Sequence, residues 1–130
     1  MTAIQAVALY AGINILVLAM LCLPVVQNRN KKKISLGDGD DPQLNAAIRA
    51  HGNAAEWVPA ALIGLAILAL TGIGVLVIHV LGALFTLARF SHAFAFLSGG
   101  TRGQGRRIGT AITLLVYLVI AGLLIWKAFS

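Results

Sequence analysis

The chain has 130 residues, of which 59% are hydrophobic and only 11% charged, against about 25% charged in ordinary soluble domains. That composition excludes a water-soluble globular domain and a disordered chain, and leaves an integral membrane protein. Ten Lys and Arg against four Asp and Glu give a formal net charge of +6, but the cations cluster in two short segments between apolar runs, so membrane topology explains them and nucleic-acid binding does not.

Thr2 to Val26 is an apolar stretch interrupted only by Gln5, Gly12, Asn14 and Pro24. It exceeds the roughly 20 residues needed to cross a bilayer and is expected as the first helix. No Lys or Arg precedes it, and bulky Leu21 stands before Cys22, which argues against a cleaved signal peptide and a lipoprotein signal. Cys22, the single cysteine, can form no internal disulfide and reads as a small buried hydrophobe. Gln27 to Gln43 combines Arg29, Lys31, Lys32 and Lys33 with Gly37, Asp38, Gly39, Asp40, Asp41 and Pro42, the composition of a solvated loop.

The uncharged run from Trp57 to Ala88 would be about 48 Å long as one helix, against a hydrocarbon core of about 30 Å. It must fold back, and Thr71-Gly72-Ile73-Gly74 supplies the reversal. A second helix is expected from about Leu44 to Leu70 and a third from about Val75 to Leu97. Ser98 to Gly105, with Gly99, Gly100, Gly103 and Gly105 around Arg102, reads as a second polar loop. A fourth helix should run from about Arg106 to Lys127, with Trp126 and Lys127 as an interfacial anchor. The expected fold class is therefore an all-α integral membrane protein, a single-domain four-transmembrane-helix bundle. Four crossings put both basic loops on one side, the cytoplasm by the positive-inside rule, with both termini outside.

Apart from the loops and Lys127, the charged residues of the second and third helices are Arg49, Glu56 and Arg89. Charge inside a membrane costs roughly 2.5 to 3.5 kcal/mol at a helix centre on insertion scales, so it should be paired or functional. Arg49, Asn53 and Glu56 stand at i, i+4 and i+7, and Arg89, His92 and Phe96 at i, i+3 and i+7, which gives each helix a polar seam. Counted from the reversal, Glu56 pairs in depth with Arg89, Asn53 with His92 and Arg49 with Phe96, either within one subunit or across an interface. A plain Glu56–Arg89 ion pair locking two helices is one reading. Two arginines and a histidine around one carboxylate leave surplus positive potential, which suits an anionic ligand. Arg106 and Arg107 at the start of the fourth helix add to it or serve as topogenic charges. His51, off the seam, His79 near the outer end and Asn14 in the first helix read as structural polar groups, and no metal site is expected.

The segment from Arg49 through Asn53 and Glu56 to Pro59 closely resembles the helix-two signature of the MAPEG family, the membrane-associated proteins in eicosanoid and glutathione metabolism. Ala88-Arg89-Phe90-Ser91-His92 is similar to the family's Ala-Arg-x-x-His, and Arg106-Arg107-Ile108-Gly109 to its Arg-x-x-Gly. The likeness spans essentially the whole chain. It implies a homotrimer in the lipid bilayer that binds glutathione as cosubstrate between subunits at the cytoplasmic end, through Arg49, Asn53, Glu56, Arg89 and His92. Arg106, with Arg107 as the alternative, corresponds to the arginine near the thiol. The compact chain points to a bacterial member in the inner membrane.

Two departures touch activity more than fold: Phe96 and Trp57 stand where family members often carry tyrosine. The expected activity is a glutathione transferase or peroxidase acting on a lipophilic small molecule that arrives through the bilayer. Arginine cannot serve as base at neutral pH, so catalysis would consist of electrostatic stabilisation of the thiolate. A noncatalytic protein of the same fold and a small multidrug-type transporter are the alternatives. The transporter would call for a carboxylate near the midplane, which the first helix does not offer.

Overall fold

The computed structural model describes residues 1–97 and 104–130. Residues 98–103 of the second polar loop, including Gly99, Gly100, Arg102 and Gly103, and the side chains of Phe96 and Leu97 lie outside the described residues, while Gln104 and Gly105, expected in that loop, open the fourth helix. The elements are α1 (Ala3–Lys32), α2 (Pro42–Leu70), α3 (Val75–Leu97) and α4 (Gln104–Ala128), all long and apolar enough to span a membrane.

Thr2 opens α1 with a capping box. Its side chain accepts the Gln5 N–H at 3.3 Å, while its own N–H donates to Gln5 Oε1 at 2.8 Å, so two otherwise orphaned donors are satisfied together. The helix does not stop near Val26 but continues to Lys32. Pro24 is accommodated within it, and Arg29, Lys31 and Lys32 are good helix formers placed where the macrodipole favours cations. α2 likewise starts two residues before Leu44, because Asp41 caps it through the Leu44 N–H at 2.7 Å and Pro42 takes the first turn, a position where a missing N–H costs nothing.

The expected reversal is a Schellman turn. The Ile73 N–H donates to Leu68 O at 3.1 Å and the Gly72 N–H to Ala69 O at 3.4 Å, with Gly72 at φ 80, a conformation that needs glycine.

α1 packs against α2 and α3, and α4 packs against the same two, while α1 and α4 do not meet. Near the turn end, Leu65 and Leu68 of α2, Ile78 and Phe85 of α3, and Val116 and Ile120 of α4 share one buried cluster. Towards the opposite, basic end, Val17 and Leu21 of α1 meet Ala50 and Ala54 of α2 and Ala93 of α3. Alanine along α2 lets backbones approach closely, which is how helices associate without a hydrophobic drive in lipid. The outside is apolar too: Leu16, Leu87, Phe94 and Leu118 are exposed, an arrangement suited to acyl chains and unsuited to water.

Candidate functional site

The polar seams come together near the basic end, in a different pairing from the depth arithmetic. Arg89 is buried, 3% exposed, and its Nη1 donates to Asn53 Oδ1 at 2.7 Å. Glu56 is exposed on the single chain and no Glu56–Arg89 ion pair occurs among the described residues. The reason is rotational. Three residues turn a helix by about 300°, so Asn53 and Glu56 differ by about 60° around the α2 axis, and the guanidinium is long enough to reach one turn along.

His92 is buried on α3, with Arg89 and Arg106 both close enough to act on its ring electrostatically. Arg106 is half-buried, whereas Arg107 is exposed. The α3–α4 approach that places Arg106 here depends on Gly109. A Cβ at that position would lie 2.7 Å from the Ala88 carbonyl oxygen and 3.1 Å from His92 Cβ, so only glycine admits the contact. Ser91 Oγ adds a hydrogen bond to Gly105 O at 3.1 Å. The structure thus gathers Asn53, Arg89, His92 and Arg106 and leaves Arg49 and Glu56 on an exposed face of α2.

That face has a regular spacing. Arg49, Asn53, Glu56, Ala60, Ile63, Ile67 and Leu70 recur at alternating intervals of four and three residues, and all are exposed except half-buried Asn53. A strict 3.5-residue repeat is the signature of a seam facing another helix.

Among the described residues, two buried side-chain polar atoms lack any protein partner: Arg89 Nε and Asn14 Oδ1. Buried donors and acceptors are almost always satisfied, so both atoms depart from the rule. Asn14, 0% exposed, otherwise ties α1 to α3 by donating to Thr86 Oγ1 at 2.8 Å and to Tyr10 O at 2.9 Å. His79 is paired as well, its Nδ1 lying 3.0 Å from Tyr10 Oη.

Sequence reasoning missed Tyr117. Its hydroxyl donates to the Trp57 carbonyl, and its ring packs edge-on against Trp57 at 5.0 Å and stacked on Phe85 at 6.3 Å. It also lies within electrostatic reach of Arg89. Tyr117 follows buried Thr113 by four residues and shares its face of α4, but a backbone-carbonyl partner leaves no motif in the sequence.

These features define a four-helix membrane protein with a buried cationic centre near one end of the bundle. Over residues 7–126 the chain matches the MAPEG family model, and it belongs to the MAPEG family. It is similar to the proteins named "Inner membrane protein YecN" from Escherichia coli strain K12 and from Escherichia coli O6:H1, each 29% identical over 116 residues that cover 89% of this chain and 88% of the relative. No solved structure matches the chain.

Proposed function

We propose that the protein is a glutathione-dependent membrane enzyme of the bacterial inner membrane, a transferase or peroxidase acting on lipophilic substrates. The observation that carries this reading is Arg89: buried, held by Asn53 through one nitrogen, and with Nε left without a hydrogen-bond partner in the single chain. A charge in that position is costly unless something anionic completes its coordination.

Glutathione fits the donor set. Its carboxylates match the planar guanidinium forks of Arg49 and Arg89, its α-amine matches the Glu56 carboxylate, and Asn53 can donate and accept at once. His92 borders the same space. The free thiol titrates near about 8.5. A guanidinium beside it favours the thiolate, and each unit of depression corresponds to about 1.4 kcal/mol. Arg106, half-buried and near His92, suits that role better than exposed Arg107.

In conjugation, the thiolate sulfur forms a bond to the electrophilic carbon while a leaving group departs or a proton is taken up from water. In peroxide reduction, the thiolate sulfur bonds to the terminal peroxide oxygen as the O–O bond breaks, giving the sulfenic acid, while the departing alkoxide takes a proton from water and leaves as the lipid alcohol; a second glutathione converts the sulfenic acid to disulfide and water.

Assembly as a homotrimer belongs to the same proposal. Glu56 facing acyl chains would carry an unmet desolvation cost, and Arg49, about 10 Å further from the turn, stands at headgroup level. A second copy seated on the 3.5-residue stripe of α2 removes Glu56 from lipid and completes a site between subunits, while Ala60, Ile63, Ile67 and Leu70 supply the apolar part of the contact. Glu56 lies about 25 Å from the turn, just inside the roughly 30 Å hydrocarbon core, where a water-soluble thiol and a membrane-borne substrate can meet.

The test is glutathione turnover with purified protein. Glu56→Ala should lose binding of glutathione, and Arg106→Ala should retain much of the binding but lose thiolate formation. Unchanged turnover in both variants overturns the assignment.

A further inference from the structure

A second cationic site lies away from the glutathione residues, where α1 leaves the membrane. The 30 residues of α1 span about 45 Å, against a hydrocarbon core of about 30 Å, so its last turns stand at headgroup level. There Arg29, Asn30, Lys33, Ile34 and Ser35 line an open cleft of about 460 Å³.

The cleft is built rather than incidental. Arg29 O accepts the N–H of Lys33 and, at 3.1 Å, that of Ile34, which satisfies the helix end internally. Arg29 Nη1 donates back to Ile34 O at 3.3 Å, fixing the guanidinium plane with its other N–H groups available. Ile34 is held in turn against Gly39, where a Cβ would meet Ile34 Cδ1 at 2.7 Å. Lys33 closes the helix at φ 56, a left-handed position where glycine would avoid a cost of about 1 to 2 kcal/mol, so a cation is carried at the lip of the cleft against local backbone preference.

Among the described residues, no carboxylate pairs with these cations. The chain has four acidic residues: Asp41 pairs with Lys32, Asp38 accepts from Asn45 and from the Asp40 N–H, and Asp40 and Glu56 do not line the cleft. Arg29 and Lys33 stand four residues apart and line the same cleft, so both cations are placed to approach the oxygens of one phosphate.

We propose that this cleft binds the phosphate of an anionic lipid in the adjacent leaflet. The headgroup phosphodiester would sit between the Arg29 guanidinium and the Lys33 ammonium, with Asn30 and Ser35 positioned for a polar headgroup such as glycerol. Juxtamembrane cations gain about 1 kcal/mol each near an anionic surface, and a concave, pre-oriented pair converts that diffuse attraction into a site. The cleft is separate from the thiol centre. Because Val17 and Leu21 meet Ala50 and Ala54, antiparallel packing puts Arg29 level with the start of α2, about 10 Å beyond Arg49. The proposal does not depend on the glutathione reading.

Native mass spectrometry of the full chain, presented with phosphatidylglycerol, phosphatidylcholine or inorganic phosphate, tests it. The expected result is retention of phosphatidylglycerol over phosphatidylcholine, reduced at least tenfold in an Arg29→Gln, Lys33→Gln double variant and unchanged in Lys31→Gln. Lys33→Gly guards against a folding artefact: it relieves the left-handed strain, so its unfolding temperature should rise while the preference for phosphatidylglycerol falls. Equal retention of the two lipids, or an unaltered preference in the double variant, overturns the proposal. Displacement of the lipid by inorganic phosphate at comparable concentration would reassign the cleft to a soluble phosphate, and displacement by glutathione would merge it with the thiol site.

Discussion

Replacing Gly109 with alanine should force α4 away from α3 beside the cationic centre. The new Cβ would lie 2.7 Å from the Ala88 carbonyl oxygen, 3.1 Å from His92 Cβ and 3.2 Å from the His92 nitrogen, where ordinary van der Waals contact begins at 3.4 Å. All three atoms belong to the α3 backbone or to the first atom of a side chain, so no rotamer change can clear them. Alanine gains about 1 kcal/mol of helix propensity over glycine, while overpacking a tight contact costs about 1 to 3 kcal/mol. The balance is a net loss of up to about 2 kcal/mol. Gly122→Ala is the matched control: nothing lies within 4 Å of its Cβ, so propensity acts alone. In thermal unfolding in detergent, Gly109→Ala should fall below the parent protein and Gly122→Ala should equal or exceed it. Because Arg106 sits one turn before Gly109, the first variant should also lose glutathione thiolate at neutral pH. A Gly109→Ala protein as stable as Gly122→Ala, with unaltered thiolate, would refute the close-approach argument.

Three other outcomes follow from particular contacts. Asn53→Leu strands the Arg89 guanidinium without its protein acceptor; a hydrogen bond to a charged group is worth about 1.5 to 3 kcal/mol, so the unfolding temperature should drop, and Asn53→Asp, which restores an acceptor, should recover most of the loss. Asn14→Leu removes the bond to Thr86 together with an unsatisfied oxygen, so it should change stability by only about 0.6 kcal/mol, and a loss several times larger in denaturant titration would show that Asn14 carries more than its contacts indicate. Outside the membrane, the Asp41 carboxyl is held below its ordinary value of 3.8 first by the Lys32 hydrogen bond and then by the Leu44 N–H, and Asp38 is lowered chiefly by Asn45. The folded loop therefore favours both as carboxylates: their contribution is complete above about pH 4 and is lost as the pH falls through the depressed folded-state values. A carboxyl titration by nuclear magnetic resonance should place the Asp41 midpoint below 3.8 and raise it in Lys32→Gln; a midpoint at or above the ordinary value contradicts the cap.

The parts of the fold that follow from chain length and local chemistry were legible in the sequence. The run from Trp57 to Ala88 is too long for one crossing, and the reversal falls at Gly72, which adopts positive φ. Helix ends set by capping depart from what composition suggests. Lys31 and Lys32 looked like loop but continue α1, and the Asp41-Pro42 pair, a recognisable start signal, opens α2 earlier than expected. At the centre, counting residues from the turn put α2 and α3 in register but could not resolve Asn53 from Glu56, because a 60° rotation about the axis decides which one faces Arg89. Tyr117 escaped notice because its partner is a backbone carbonyl, which leaves no motif. The exposure of Arg49 and Glu56 depends on what lies beside α2 in an assembly, and that is a property of more than one chain.

The measurement that bears most directly on the proposed function is ultraviolet difference absorbance of glutathione mixed with the purified protein in detergent at neutral pH. A thiolate band should appear on mixing, vanish in Glu56→Gln for want of binding, and weaken in Arg106→Ala while the tripeptide still binds. Absence of the band together with absence of glutathione binding would contradict the account.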